Sequence, residues 1–212
     1  PLRFKSLQPR AKRNSGADHY PFDPRYINAN EDIKVIERGL QRTGEGRLIL
    51  FGPPGTGKTA FVHYLAGRLQ KKLLHKDAAR LVDCFVGMTE RLIHQAFKEA
   101  SRKGDMLFID EADSFLSERT AHQHSWQTSQ VNQLLQEMER FRGILIMSTN
   151  LMQTLDTAAL RRFDYKVAFS YLTLQQRLDF FAEWLSRHGD SRDFDQETFR
   201  WRLQKLDRMN AL

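Results

Sequence analysis

Residues Gly52-Pro53-Pro54-Gly55-Thr56-Gly57-Lys58-Thr59 form a complete G-x-x-x-x-G-K-T phosphate loop. It lies between an apolar run, Leu48-Ile49-Leu50-Phe51, and a helical pattern that opens with Ala60. In such a loop, glycines let consecutive backbone N–H groups turn inward around a β-phosphate. Lys58 then reaches the β- and γ-oxygens as a point charge, and the Thr59 hydroxyl can ligate Mg²⁺ at the helix N-terminus. A Gly/Pro surface turn would need no strand before it and no helix after it. The pattern predicts a nucleoside triphosphate site with Mg²⁺ beside the phosphates.

A phosphate loop alone does not separate kinases, GTPases, transport ATPases and motors, so a second acidic motif must decide. Met106-Leu107-Phe108-Ile109-Asp110-Glu111 is an apolar strand ending in two carboxylates. At the end of a strand beside the loop, Asp110 would hold the Mg²⁺ hydration shell and Glu111 would polarise the water attacking the γ-phosphate. A hydrolysing machine needs both groups, whereas a small-molecule kinase needs no dedicated water activator. The same pair could also cap the helix that follows, which is compatible with the site reading.

The elements that must position these residues follow from periodicity. Strands are expected at 48–51, 79–82, 106–109, 144–148 and 165–169. Ile33, Ile36 and Leu40 recur at helical spacing behind an Asn30 cap, and Gly44-Glu45-Gly46 stops them. Helical faces also run through 89–102 (Leu92, Ile93, Ala96, Phe97, Ala100) and 125–142 (Val131, Leu134, Leu135, Met138, Phe141). The alternation predicts an α/β fold, a five-stranded parallel sheet between helices. Thr173 with Gln176 makes a capping box, followed by Leu178, Phe181 and Leu185 and then Phe199, Leu203 and Leu206. These read as the start of a small helical lid that is incomplete at Leu212.

The chain of 212 residues is large enough for one substantial core. Its single cysteine, Cys84, excludes an intrachain disulfide and a Cys-based metal cluster, which fits a reducing, cytoplasmic setting. Neither a membrane span nor a secretory leader is visible. Much of the net charge of +7 comes from Arg3, Lys5, Arg10, Lys12 and Arg13, opposed within 1–20 only by Asp18. That polar segment reads as a basic arm or linker, and the mild charge of the remainder argues against nucleic acid as the main partner.

Taken together, Gly-Pro-Pro-Gly-Thr-Gly-Lys-Thr, Phe-Ile-Asp-Glu-Ala-Asp and Met147-Ser148-Thr149-Asn150 resemble the AAA subgroup of the AAA+ ATPases over about residues 26 to 186. The resemblance implies an ATPase domain at 21–170 with ATP or ADP and Mg²⁺ as its ligands, preceded by the arm at 1–20 and followed by a partial lid at 171–212. It implies a water- or phosphate-orienting role for Asn150, in the position called sensor 1. Leu160-Arg161-Arg162-Phe163 resembles the compact arginine-finger region of the katanin and spastin branch, so Arg161 and Arg162 are implied to reach a neighbouring subunit's γ-phosphate. Which of the two does so stays open. Ile27 and Asn28 fall where family members bracket adenine with backbone.

Phe85-Val86-Gly87 matches pore loop 1, which in the family lines a hexamer's channel and grips a polypeptide. As a loop it needs an apolar, sequence-tolerant knob on a backbone that Gly frees to move. Met88-Thr89-Glu90 departs from the family's Gly-Glu-Ser-Glu form and keeps only the second Glu. His122 and His124 lack a third ligand and read as part of a solvated loop, with Trp126 as a packing residue. No sensor 2 arginine is assignable. The implied function is ATP-driven remodelling or unfolding of a protein through a homo-hexameric ring, although this chain by itself could be monomeric. The alternatives are a nucleic-acid-associated motor or loader, and a slowly hydrolysing nucleotide-gated scaffold.

Overall fold

Apolar residues that fill both faces of consecutive strands demand a covered parallel sheet, and that is how the molecule is built. A computed structural model describes residues 22–82, 87–116, 125–150, 157–188 and 197. Its six strands are β1 (Asn28–Ala29), β2 (Gly46–Phe51), β3 (Leu73–Asp77), β4 (Met106–Asp110), β5 (Ile144–Thr149) and β6 (Tyr165–Ser170). They lie in the order β1-β6-β2-β5-β4-β3. The five strands β2 to β6 are parallel, as expected, and β1 adds a short antiparallel edge to β6.

One strand sits earlier than expected. The anticipated run at 79–82 is instead a 3-10 turn, Ala78–Arg80, because the Asp77 side chain accepts the Ala79 N–H and ends β3. Asn30 likewise does not cap the first helix, α1 (Ile33–Thr43). Asp32 caps it by accepting the Lys34 N–H at 2.8 Å, while the Asn30 side chain accepts from Ala168 N–H at 2.7 Å.

The remaining helices are α2 (Lys58–Arg68), α3 (Met88–Lys103), α4 (Asp113–Leu116), α5 (Ser125–Arg140), α6 (Thr157–Leu160) and α7 (Leu174–His188). The apolar stripes of α3 and α5 bury Ile93, Phe97, Leu134 and Met138 against Leu107, Ile109, Leu145 and Met147 on one face of the sheet. On the other face, Ile36, Leu40, Phe61 and Leu65 of α1 and α2 pack on Leu48, Leu50, Phe108 and Ile146. Phe108 is fully buried beneath the phosphate-loop helix. Phe108→Ala should cost about 3–5 kcal/mol and lower Tm by about 10 °C, which calorimetry would read.

Sheet order positions the site. β5 runs between β2 and β4, so the ends of these three parallel strands bring the phosphate loop, the acidic pair and Asn150 to one edge. Past β6, the Thr173–Gln176 capping box forms as expected, with bonds of 3.2 and 3.0 Å. Gln176 also donates to the Ile27 carbonyl at 2.7 Å, and Tyr26 Oη donates to Glu183 at 2.6 Å. Helix α7 is thereby tied to the segment just before β1. The basic arm and the stripe Phe199, Leu203 and Leu206 lie outside the described residues.

Candidate functional site

The phosphate loop is a backbone structure first. Gly52 has φ 140°, and a Cβ there would stand 2.0 Å from the Phe169 carbonyl oxygen. Only glycine fits the step from β2 into the loop. Gly52→Ala should therefore lower Tm and abolish nucleotide binding together, as read by a thermal shift and a fluorescent-nucleotide titration. Gly57, at φ 92°, precedes α2, and no side chain caps that helix. Its first-turn amides remain available to an anion.

Lys58 is buried and spends its three donors on the Gly52 carbonyl at 2.8 Å, the Pro53 carbonyl at 2.9 Å and Asn150 Oδ1 at 2.8 Å. Burial lowers its pKa below the ordinary lysine value, while Asp110 and Asp113 pull it back up. Thr56 Oγ1 braces the loop by donating to the Pro53 carbonyl at 2.8 Å. A cavity of about 360 Å³ opens over the loop, walled by Pro54, Gly55, Lys58, Thr59 and Ala60 on one side. Asp110, Glu111, Ser148 and Asn150 wall the other.

Thr59 Oγ1 donates to Asp110 Oδ2 at 3.2 Å. His75 Nε2 approaches the same oxygen at 3.5 Å. Among the described residues no three His, Cys, Asp or Glu form a metal cage. One hydroxyl and one carboxylate on this edge suit a hard cation that keeps several waters and takes further oxygens from substrate phosphates, as Mg²⁺ does. Glu111 is exposed in the cavity wall and holds a left-handed backbone at φ 54°, unusual for a residue other than glycine.

Two residues here were not anticipated as part of the site. The Ser148 hydroxyl donates to Asp110 Oδ1, and Asp113 Oδ1 accepts from Thr149 Oγ1 and, at 3.1 Å, from the Asn150 N–H. The sequence signal was there in the hydroxyls that close an otherwise apolar strand and in a third carboxylate after Asp110-Glu111. What it lacked was the knowledge that β5 lies beside β4.

Arg161 and Arg162 are not brought to this cavity. They precede β6, at the opposite edge of the sheet, with six strand residues spanning about 20 Å between the two edges. Arg162 Nε pairs with Glu139 at 2.8 Å, and Arg161 is exposed. A second cavity of about 710 Å³ meets the first at Gly55 and Gly57, but neither Ile27, which is buried in the core, nor Asn28 is in its wall. Tyr26, Thr56, Tyr171 and Arg177 are in its wall. The Ile27 N–H already bonds the Pro24 carbonyl at 3.3 Å, and Asn28 Nδ2 bonds the Tyr171 carbonyl at 2.8 Å. Gly87 stands at the N-cap of α3, whereas Phe85, Val86, His122 and His124 lie outside the described residues, as does the side chain of Trp126.

Comparison with known proteins agrees with this architecture. The family described as "ATPase family associated with various cellular activities (AAA)" matches residues 48–171, more than half of the chain. Spastin of Drosophila grimshawi is 34% identical over 165 residues, covering 74% of this chain and 21% of that protein. Spastin of Drosophila willistoni is 35% identical over 176 residues, covering 79% and 22%. The ATP-dependent zinc metalloprotease YME1 homolog of Caenorhabditis elegans is 36% identical over 148 residues, covering 66% and 20%. The chain spans about a fifth of the length of the curated relatives it matches. With a phosphate loop, an acidic strand end and a polar strand end converging on one sheet edge, the chain belongs to the AAA family and is an ATPase domain of the katanin and spastin branch.

Proposed function

We propose that this domain hydrolyses Mg²⁺-bound ATP within a homo-hexameric ring and uses the cycle to remodel or unfold a polypeptide. The observation that carries the reading is the separation of Lys58, Thr59, Asp110, Glu111 and Asn150 at one edge of the sheet from Arg161 and Arg162 at the other. A site whose arginine lies about 20 Å away is completed by a second copy packed head to tail, and such an interface closes into a ring when the rotation permits.

The loop from Gly52 to Ala60 binds the phosphates, with Lys58 exchanging its carbonyl partners and Asn150 for phosphate oxygens. Thr59 and Asp110 would hold the metal, which neutralises charge developing on the phosphates. Glu111 accepts a proton from the attacking water, and Asn150 orients that water or the γ-phosphate. The larger cavity, walled by Tyr26, Thr56, Tyr171 and Arg177, takes the base and sugar, with Ile27 and Asn28 supporting that wall from behind. Arg161 is assigned as the trans finger because Arg162 is already engaged by Glu139. The divisions at 1–20, 21–170 and 171–212 belong to the same proposal, as does a cytoplasmic location.

Lys58→Ala should weaken ATP binding by about 10- to 100-fold, the loss of charged hydrogen bonds, as read by isothermal titration. Unchanged affinity would contradict the phosphate role. For the polypeptide substrate, support comes from the Phe85-Val86-Gly87 tripeptide and from one relative's name as an ATP-dependent metalloprotease. Phe85→Ala is expected to keep ATP turnover and lose unfolding of a tagged model substrate. Retained unfolding would remove Phe85 from the grip on the polypeptide, and a wild type that turns over ATP without unfolding the substrate would favour the scaffold.

A further inference from the structure

We propose that Ser148 is a positioning residue for hydrolysis, a clamp that fixes the turn carrying Glu111. The inference rests on the hydrolytic reading of the site and adds the group that aims its base.

Ser148 is the penultimate residue of β5 and is 1% exposed. It contacts three consecutive residues of the acidic strand end. Its hydroxyl donates to Asp110 Oδ1 and accepts the Glu111 N–H at 3.1 Å, and its carbonyl accepts the Ala112 N–H at 2.8 Å. A serine hydroxyl has one proton to give and lone pairs to receive, so both side-chain bonds form at once.

The turn they hold is one that needs holding. Glu111 is one of two non-glycine residues with positive φ among those described, at 54°. A side chain in the left-handed region persists only where its surroundings over-determine it. Here the Glu111 N–H is shared between Ser148 Oγ and Asp110 Oδ1, both at 3.1 Å. In this conformation Glu111 lines the cavity over the phosphate loop. The same bonds occupy Asp110 Oδ1 and leave Oδ2 facing Thr59. One hydroxyl thus sets the direction of the general base and the choice of carboxylate oxygen offered to the metal.

The position also makes Ser148 a link between strands. Asn150, two residues on, accepts from Lys58, so the end of β5 touches the acidic turn with one side chain and the phosphate loop with another. An ordinary buried serine at a strand end would satisfy its hydroxyl on its own backbone or on one neighbour, and its loss would appear in stability alone.

The test compares the wild type with Ser148→Ala and Ser148→Thr, reading kcat, KM for ATP, Tm and amide exchange at Glu111. Misplacing a catalytic group by about 1 Å can cost on the order of 10²-fold. Ser148→Ala should lower kcat by about 10- to 100-fold with KM and Tm nearly unchanged, and should speed Glu111 amide exchange by about tenfold. Ser148→Thr keeps the hydroxyl and should restore kcat, with its extra methyl lowering Tm only. The proposal is overturned if Ser148→Ala turns over ATP like the wild type, or if kcat and Tm fall together while KM rises. It is also overturned if the alanine chain does not fold, if Thr fails to restore kcat, or if Glu111 exchange is unaltered.

Failure of the underlying reading looks different. In that case the wild type itself does not hydrolyse ATP, or Glu111→Gln leaves the rate intact. The exchange measurement then still reports whether the clamp exists.

Discussion

Glu111→Gln is expected to leave ATP bound and to lower the rate of hydrolysis by about 10²- to 10⁴-fold, the usual contribution of a positioned general base. The amide keeps the shape of the carboxylate and can still hydrogen-bond a water, but it cannot take its proton. Asp110, Thr59 and Lys58 are untouched, so nucleotide affinity should stay within a few-fold of wild type, a figure for uniform binding retained. Rapid-quench measurement of phosphate release alongside a binding titration would read both quantities. A variant that loses affinity as well would show that Glu111 serves the ground state, and hydrolysis at the wild-type rate would remove it from the chemistry.

Arg161→Ala should cost about 10³- to 10⁵-fold in turnover, the contribution of a guanidinium supplied across an interface to the charge of the transferring phosphoryl group. Arg162→Ala should cost less, because Arg162 already holds Glu139 at 2.8 Å on α5 and acts by shaping the edge. The trans assignment has a sharper consequence. Arg161→Ala subunits lack a finger but keep an intact cavity, and Glu111→Gln subunits lack a base but keep an intact finger. Mixing the two inactive chains should recover activity at the sites where the first kind of cavity meets the second kind of finger. No recovery on mixing, with both chains folded and able to bind ATP, would contradict a finger in trans.

The parts of this molecule that could be read from the sequence are those in which a local constraint leaves few choices. The phosphate loop demands glycines where the backbone bends, and Gly52, with the Phe169 carbonyl 2.0 Å from where a Cβ would stand, shows why. The apolar stripes of α3 and α5 repeat at helical period because both helices cover the same sheet face. β3 escaped because it is an edge strand, half-buried on both faces and carrying His75 and Lys76, so it lacks the apolar run of β4 and β5. The apolar residues just after it drew attention instead, and Asp77 turns them into a 3-10 turn. β1 is two residues long and exists only because β6 offers it an edge.

The site divides the same way. Lys58, Thr59, Asp110 and Glu111 belong to motifs whose spacing is local to one strand and its loop. Ser148 and Asp113 act across strands, and their contacts depend on β5 lying between β2 and β4, which no periodicity reveals. Asn30 was expected to cap α1, and Asp32, two residues on, does so instead. The edge of β6 takes the Asn30 side chain for its own N–H and carbonyl groups, which no local pattern reveals.

The most direct test of the central claim is the ATPase rate per subunit against protein concentration, at saturating ATP and Mg²⁺, with molecular mass followed in parallel. A site completed by Arg161 of a second copy predicts a rate per subunit that climbs with concentration as larger assemblies appear and then levels off. A rate per subunit that stays constant across the range, in a chain that remains a monomer, would contradict it.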